Sequence, residues 1–188
     1  MDLMINKNAV RSVPQAIPIP ASADILSYAV AQCELGNVLV ARSGKGVCSI
    51  LLGDSASELT ADLASRFPQS TIIEDESLVD DDMAKVLRYI KNPSDGLHLT
   101  LDMRGTPFQR RVWEKLKAIS VGRTVSYTEF GRWISPITHP RAIARACAAN
   151  PIALAVPCHR VVRSNGDMAS YRWGLERKLE LLRKEAAV

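Results

Sequence analysis

The sequence predicts a mixed α/β (α+β) protein in two parts, an α/β unit followed by a helical unit. Three observations carry this expectation. Short apolar runs separated by glycine turns fill residues 27–52, helix-capping residues punctuate most of the chain after residue 54, and the charge balance reverses midway. A chain of 188 residues can bury one medium core or two small ones, and its 47% hydrophobic content is ordinary for a globular protein.

Met1 to Pro20 lacks an unbroken apolar stretch and carries Pro14, Pro18 and Pro20. Residues 1–25 are therefore expected to form an extended linker, not a signal peptide or membrane span. Ser27–Cys33, Asn37–Ser43 and Val47–Leu52 read as three strands, joined by turns at Glu34-Leu35-Gly36 and Gly44-Lys45-Gly46. Ser55-Ala56-Ser57-Glu58 reads as a capping box opening a helix to about Phe67. A second helix is expected over Val79 to Lys91, with Asp80-Asp81-Asp82 at its dipole-positive end. Leu97–Asp102 reads as a connecting strand.

The pattern changes at Gly105. Thr106-Pro107-Phe108-Gln109 supplies an N-cap, a proline at the first helical position and a glutamine that closes the box. Phe108, Val112, Leu116 and Ile119 form the apolar stripe of that helix, and Gly122 ends it. Ser126 to Glu129 caps a short helix to about Ile134, stopped by Pro136. Thr138-His139-Pro140 starts another through Ala149, which Asn150-Pro151 terminates. Two short helices on a tight turn resemble a helix-turn-helix.

Charge points to a partner. Residues 1–103 carry a net −6 and residues 104–188 a net +10, the footprint of a nucleic-acid binder. The alternative is an exposed basic face without a partner. On the helix from Pro140, Arg141, Ala144, Arg145 and Ala148 share one face, while Ile143, Ala146 and Cys147 occupy the other. Two arginines over alanines suit close approach to a backbone or minor groove, with little reading of base edges. An alanine-rich core helix with solvated arginines is the competing reading.

Pro157-Cys158-His159-Arg160-Val161 carries the chemistry. A thiol attacks as its thiolate, and a neighbouring base or cation helps to form it. Ile152–Val156 reads as a short strand that Pro157 breaks, placing Cys158 at a strand end or tight turn. Cys33, Cys48 and Cys147 sit in apolar patterns and read as small buried hydrophobes. No CxxC spacing occurs, so free thiols in a reducing compartment are expected. In the final helix, Gly174 to Ala186, the apolar face is expected from Leu175, Leu179, Leu181 and Leu182, with Lys178 snorkelling beside it. At about 100° per residue, Glu185 falls between Leu181 and Leu182, an inward carboxylate that a histidine would satisfy. Its alternative is solvation at a fraying terminus. Asn150 reads as a helix C-cap or as a brace for the Cys158 turn. Tyr127 reads as a core or surface tyrosine whose hydroxyl finds water.

Together, Gly105 to Gln109, Gly122 to Tyr127, Ala146 to Asn150, Pro157 to Arg163 and Tyr171-Arg172-Trp173-Gly174 resemble the O6-alkylguanine-DNA alkyltransferases, specifically the C-terminal domain of bacterial adaptive-response members. Cys33 to Gly36 and Ile50 to Asp54 extend the likeness into the first half. The resemblance implies a ribonuclease H-like subdomain over 26–103, with a three-stranded sheet, and a winged helix-turn-helix-like subdomain over 104–188. It implies that Cys158 accepts the alkyl group, with His159 as a water-mediated base oriented by Glu185. Asn150 would hold the turns, and Tyr127 would give a proton or hydrogen bond to the departing guanine. Arg141 would enter the duplex from the minor groove, with Arg145 also on the DNA. The backbone of Cys158, Val161 and Arg172 would read the flipped base, walled by Cys147 and Tyr171. It implies a monomeric, cytoplasmic, nucleoid-associated protein acting on double-stranded DNA, with no cofactor, no metal, no membrane and no zinc-binding regulatory domain in this chain. Ser120-Val121 and Ser170, beside Met168-Ala169, depart from the family's pattern in loops near the site. A non-catalytic alkylguanine sensor and a helix-turn-helix regulator are the competing functions; Cys158 argues against the first and the alanine-rich face against the second.

Overall fold

Glycine turns and β-branched runs form the strands β1 (Ile25–Cys33), β2 (Gly36–Ser43) and β3 (Gly46–Gly53) of an antiparallel meander. The computed structural model describes residues 24–135, 137–165 and 171–187. The expected linker up to residue 23, the helix stop at Pro136 and the departures at Met168 to Ser170 lie outside them. Gly36 holds φ at +97°, and a Cβ there would stand 2.7 Å from the Gly53 carbonyl, so the β1–β2 turn needs glycine.

Among the described residues the sheet has four strands, not the expected three. β4 (Thr71–Glu74) adds in parallel to β1, giving the order β3-β2-β1-β4. It is four residues long and partly exposed, so it shows neither a long apolar run nor clear alternation. Helix α1 (Ala56–Arg66) is capped by Ser55 as expected. Helix α2 (Glu76–Lys91) begins three residues before the expected Val79, because the Asp75 side chain accepts from the Leu78 N–H. The acidic run therefore lies a turn inside the helix, where Asp82 is buried and paired with Arg42 at 3.1 Å.

Residues 97–102 are extended but do not form the expected strand. They meet β3 at one bridge, through Val47 N–H to Thr100 O and Asp102 N–H to Val47 O, both 2.8 Å.

Beyond it, α3 (Pro107–Leu116) opens on the complete Thr106–Gln109 capping box. Trp113, 1% exposed, donates its indole N–H to Ala146 O at 2.9 Å and ties α3 to α5. Helix α4 (Tyr127–Ile134) is capped by Ser126, and α5 (Pro140–Ala148) by the His139 ring, which accepts from the Arg141 N–H. A two-residue β5 (Val125–Ser126) pairs in parallel with β6 (Val161–Val162), fastening the segment after Cys158 to the start of α4.

The expected strand over Ile152–Val156 is a turn. Only Ile152 bridges Ile50, after which Leu154 takes φ of +67° and the chain reverses. Ile50 N–H to Pro151 O and Ala153 N–H to Ile50 O, each 2.9 Å, pin this turn to β3, so the first half supports the reactive loop.

Helix α6 (Leu175–Ala186) corrects another expectation. Leu175 and Leu179 are about half exposed, whereas Lys178, Leu181 and Glu185 face the core. Lys178 does not snorkel: its ammonium is buried and donates to Val161 O at 2.7 Å. Glu185 is 2% exposed and is not frayed. Two leucines on one helix thus differ in burial alone. Leu181→Ala is expected to cost about 2–5 kcal/mol, and Leu179→Ala less than about 1 kcal/mol, in urea unfolding.

Candidate active site

Cys158 opens a single 3-10 turn, Cys158–Arg160, directly after the reversal at Leu154. Its N–H bonds Val156 O at 2.8 Å, and the Val161 N–H closes the turn on Cys158 O. Asn150, fully buried at the end of α5, organises this loop with one side chain. Its Nδ2 donates to Val156 O at 2.9 Å and to Cys158 Sγ at 3.3 Å, and its Oδ1 accepts from the Ile152 N–H at 2.9 Å. It is thus a brace for the turn, beyond what a helix cap requires.

Adjacent residues of the turn point different ways, and His159 runs into the core at 0% exposure. Its Nε2 lies 2.8 Å from Glu185 Oε1. Burial pushes the Glu185 carboxyl up, but hydrogen bonds from His159 and Arg160 overcome it and bring its pKa down to about 2. An ionised carboxylate only accepts, so Nε2 carries the imidazole proton and Nδ1 carries the lone pair. Nδ1 is buried and meets no hydrogen-bonding group among the described residues. Burial lowers the His159 pKa against the pull of Glu185, which favours the neutral ring.

Two residues that sequence reasoning passed over complete this centre. Arg160 forks onto Glu185 through Nε to Oε2 and Nη2 to Oε1, both 2.9 Å, and Nη1 donates to Ile119 O. Tyr89, from α2, donates its hydroxyl to Glu185 Oε1 at 2.9 Å and accepts from Arg160 Nη2 at 2.9 Å. Arg160 was visible in the motif as a charge beside the thiol. Tyr89 lies 96 residues from Glu185, and its helix periodicity marks it only as core.

The thiol itself is kept protonated. Burial raises the Cys158 pKa to about 11, opposed by the Asn150 hydrogen bond and the Lys178 charge. It faces a cavity of about 270 Å³ lined by Tyr127, Ala144, Cys147, Ala148, Cys158, Tyr171 and Arg172. Burial also raises the Tyr127 hydroxyl, which therefore stays a donor. Tyr171 packs edge-on to His159, ring centroids 6.3 Å apart. Val161 lies behind the turn, its carbonyl taken by Lys178. Arg172, at the rim, pairs with Asp62 of α1 at 2.8 Å.

Arg141 and Arg145 do not line this cavity. They stand exposed on α5 with Ala144 and Ala148, while Ile143, Ala146 and Cys147 are buried, the division expected from the sequence. Helix α5 therefore carries its arginines on the same exposed face as Ala144 and Ala148, which line the cavity together with the buried Cys147. A larger open hollow of about 500 Å³ lies elsewhere, between the β1–β2 turn and α6, and its lining carboxylates Glu34, Asp54, Glu176 and Glu180 enclose no nucleophile. Among the described residues no cluster of His, Cys, Asp or Glu has the arrangement of metal ligands, and no helix is long and apolar enough to cross a membrane.

The fold and this centre define a protein organised around one enclosed sulfur beside a carboxylate-held imidazole. Comparison with known proteins places it. The profile described as "6-O-methylguanine DNA methyltransferase, DNA binding domain" matches residues 107–187. The bifunctional transcriptional activator/DNA repair enzyme Ada of Escherichia coli is 44% identical over 159 residues, spanning 85% of this chain and 45% of that protein. A methylated-DNA–protein-cysteine methyltransferase of Candida albicans is 35% identical over 170 residues, 85% of this chain and 96% of that one. The structure of Mycobacterium tuberculosis OGT in complex with DNA superposes with a TM-score of 0.67 at 29% identity, covering 86% of this chain and 93% of that one. The chain belongs to the methylated-DNA–protein-cysteine methyltransferase family. It spans less than half the length of the Ada proteins it matches.

The raised thiol has a direct consequence. Below about pH 11 the thiolate fraction rises about tenfold per pH unit, so carboxamidomethylation of Cys158 by iodoacetamide is expected to be slow at neutral pH and to climb in that way. Asn150→Ala removes a hydrogen bond that favours the thiolate and is expected to slow it further at each pH, as read by peptide mass.

Proposed function

We propose that this chain repairs DNA by moving the alkyl group of O6-methylguanine irreversibly onto Cys158. The observation that carries the reading is the arrangement at the cavity: a sulfur braced by Asn150 at 3.3 Å, next to a histidine whose Nε2 is fixed by Glu185 at 2.8 Å, opening beside an exposed arginine-bearing helix. Its family membership supports the chemistry. The charge reversal and the DNA complex of its M. tuberculosis relative support the partner.

The O6 of a paired guanine lies inside the stack, so the nucleotide must leave the duplex to reach Cys158. Helix α5 is suited to this, since Ala144 and Ala148 permit close approach while Arg141 enters from the minor groove to fill the vacated place and Arg145 holds phosphate. The cavity then receives the base between Cys147 and Tyr171, with backbone groups of Cys158, Val161 and Arg172 along its edge. His159 Nδ1 takes the thiol proton through a water, and Glu185 stabilises the imidazolium that results. The thiolate attacks the methyl carbon as the C–O6 bond breaks and its electron pair passes to the guanine. Tyr127, still protonated, donates a hydrogen bond to that leaving base, which then takes up a proton. The S–CH₃ bond is a stable thioether, so each molecule reacts once.

In the same reading, residues 26–103 form the ribonuclease H-like subdomain. Residues 104–188 form the winged helix-turn-helix-like one, supported by α4, α5 and the β5–β6 pair. The protein acts as a monomer on duplex DNA in the cytoplasm.

The test is duplex DNA carrying O6-methylguanine, with peptides mapped by mass. The Cys158 peptide is expected to gain one methyl group as the DNA loses it; alkylated DNA with an unmodified Cys158 would overturn the reading. Cys158→Ala is expected to abolish transfer and keep DNA binding. Arg141→Ala is expected to slow duplex repair by about tenfold or more, in keeping with the 1–3 kcal/mol typical of one nucleic-acid contact.

A further inference from the structure

The carboxylate that holds His159 is shared with the first half of the chain. Tyr89 is 2% exposed on α2, and its hydroxyl makes two bonds, donating to Glu185 Oε1 and accepting from Arg160 Nη2, both 2.9 Å. A buried tyrosine hydroxyl needs only one partner, and a phenylalanine would fill the same volume. Both partners here are charged and belong to the reactive centre. Glu185 Oε1 consequently accepts from three donors, His159 Nε2, Arg160 Nη2 and Tyr89 Oη, while Oε2 accepts from Arg160 Nε. One carboxylate oxygen offers two lone pairs, so Tyr89 and His159 draw on the same electron density.

We propose that Tyr89 is a positioning residue for alkyl transfer: through the shared oxygen it fixes the Glu185 carboxylate and limits how strongly that carboxylate holds the His159 N–H. This rests on the reading of His159 as the base. The groups facing the imidazole come from several elements. Glu185 and Lys178 approach from α6, Arg160 from the 3-10 turn, Tyr171 edge-on, and Tyr89 from α2 through the carboxylate. Glu185 raises His159, while burial, Arg160 and Lys178 lower it. Tyr89 restrains the one raising influence. The consequence is a base kept neutral near physiological pH, able to accept a proton and not already carrying one. It also means that the first half of the chain helps to tune the site, although the matched family profile spans only residues 107–187.

In Tyr89→Phe the carboxylate loses a donor, its bond to His159 strengthens, and the imidazolium is favoured. The His159 titration, and the acid limb of the transfer rate where His159 becomes protonated, should both move to higher pH. A shift of about half a unit or more, threefold in the protonation equilibrium, is expected. With 3-fluorotyrosine at position 89 the hydroxyl is more acidic, donates more strongly, and should move both the other way with the fold undisturbed. The experiment uses the full chain, with single-turnover methyl transfer from O6-methylguanine duplex followed between about pH 5 and 9. Alongside it, the His159 ring protons are titrated by NMR without DNA; the sequence has three histidines, so assignment is direct. Opposite shifts in the two variants support the proposal. An unmoved His159 titration and acid limb, with activity merely scaled down at every pH, would show a packing role and overturn it. Because the NMR titration needs no DNA, a parent protein that transfers no methyl group would defeat the functional reading while the coupling is still decided.

Discussion

An ionised carboxylate in a protein core must be matched by donors, and the Glu185 carboxylate is where this chain meets that demand. Its oxygens take bonds from His159, Arg160 and Tyr89, and Arg160 extends the set to the Ile119 carbonyl. Four separate stretches of sequence thereby converge: α2, the end of the α3 region, the 3-10 turn and α6. Removing Arg160 or Glu185 would leave the other's charge buried without its ionic partner, which is costlier than losing an exposed ion pair. Gly122 keeps φ at +75° against this centre, and a Cβ there would stand 3.0 Å from Glu185 O. The carboxylate fixes the imidazole through Nε2, which leaves Nδ1 as the ring's free acceptor among the described residues.

The sulfur is treated in the opposite manner. Burial holds Cys158 as a thiol near pKa 11, with Asn150 and Lys178 only partly offsetting it. A permanently ionised thiolate would react with passing electrophiles. In the proposed reaction, a buried thiol that yields its proton to an oriented base would reserve its reactivity for what enters the cavity. This distinguishes the centre from turnover cysteine sites, where the thiolate is often stabilised at rest.

Much of this was legible in the sequence, for reasons that can be named. Helix starts were readable because Ser55, Thr106 and Ser126 cap through local hydrogen bonds. The exposed and buried faces of α5 followed from periodicity, and the Cys158–His159 pair from its own chemistry. What failed depended on distant contacts. β4 exists because β1 offers a parallel edge, not because its four residues insist on a strand. Ile152–Val156 turns because Ile50 takes one backbone bond from Ala153 and gives one to the preceding Pro151, and Leu154 then reverses the chain. On α6 the apolar Leu175 and Leu179 lie outward while Lys178 goes in, because the Val161 carbonyl awaits its ammonium. Hydrophobicity alone could not signal a buried lysine, nor could it name Tyr89 as a neighbour of Glu185.

If the carboxylate is what prepares the histidine, replacing its charge while keeping its shape should disable transfer without unfolding the chain. The decisive measurement is the single-turnover rate of methyl transfer to Cys158 in Glu185→Gln, with native fold verified by circular dichroism. A fall of about 10² or more is expected, the scale of a positioned acid–base group. A folded Glu185→Gln protein that transfers at the parent rate would contradict the account.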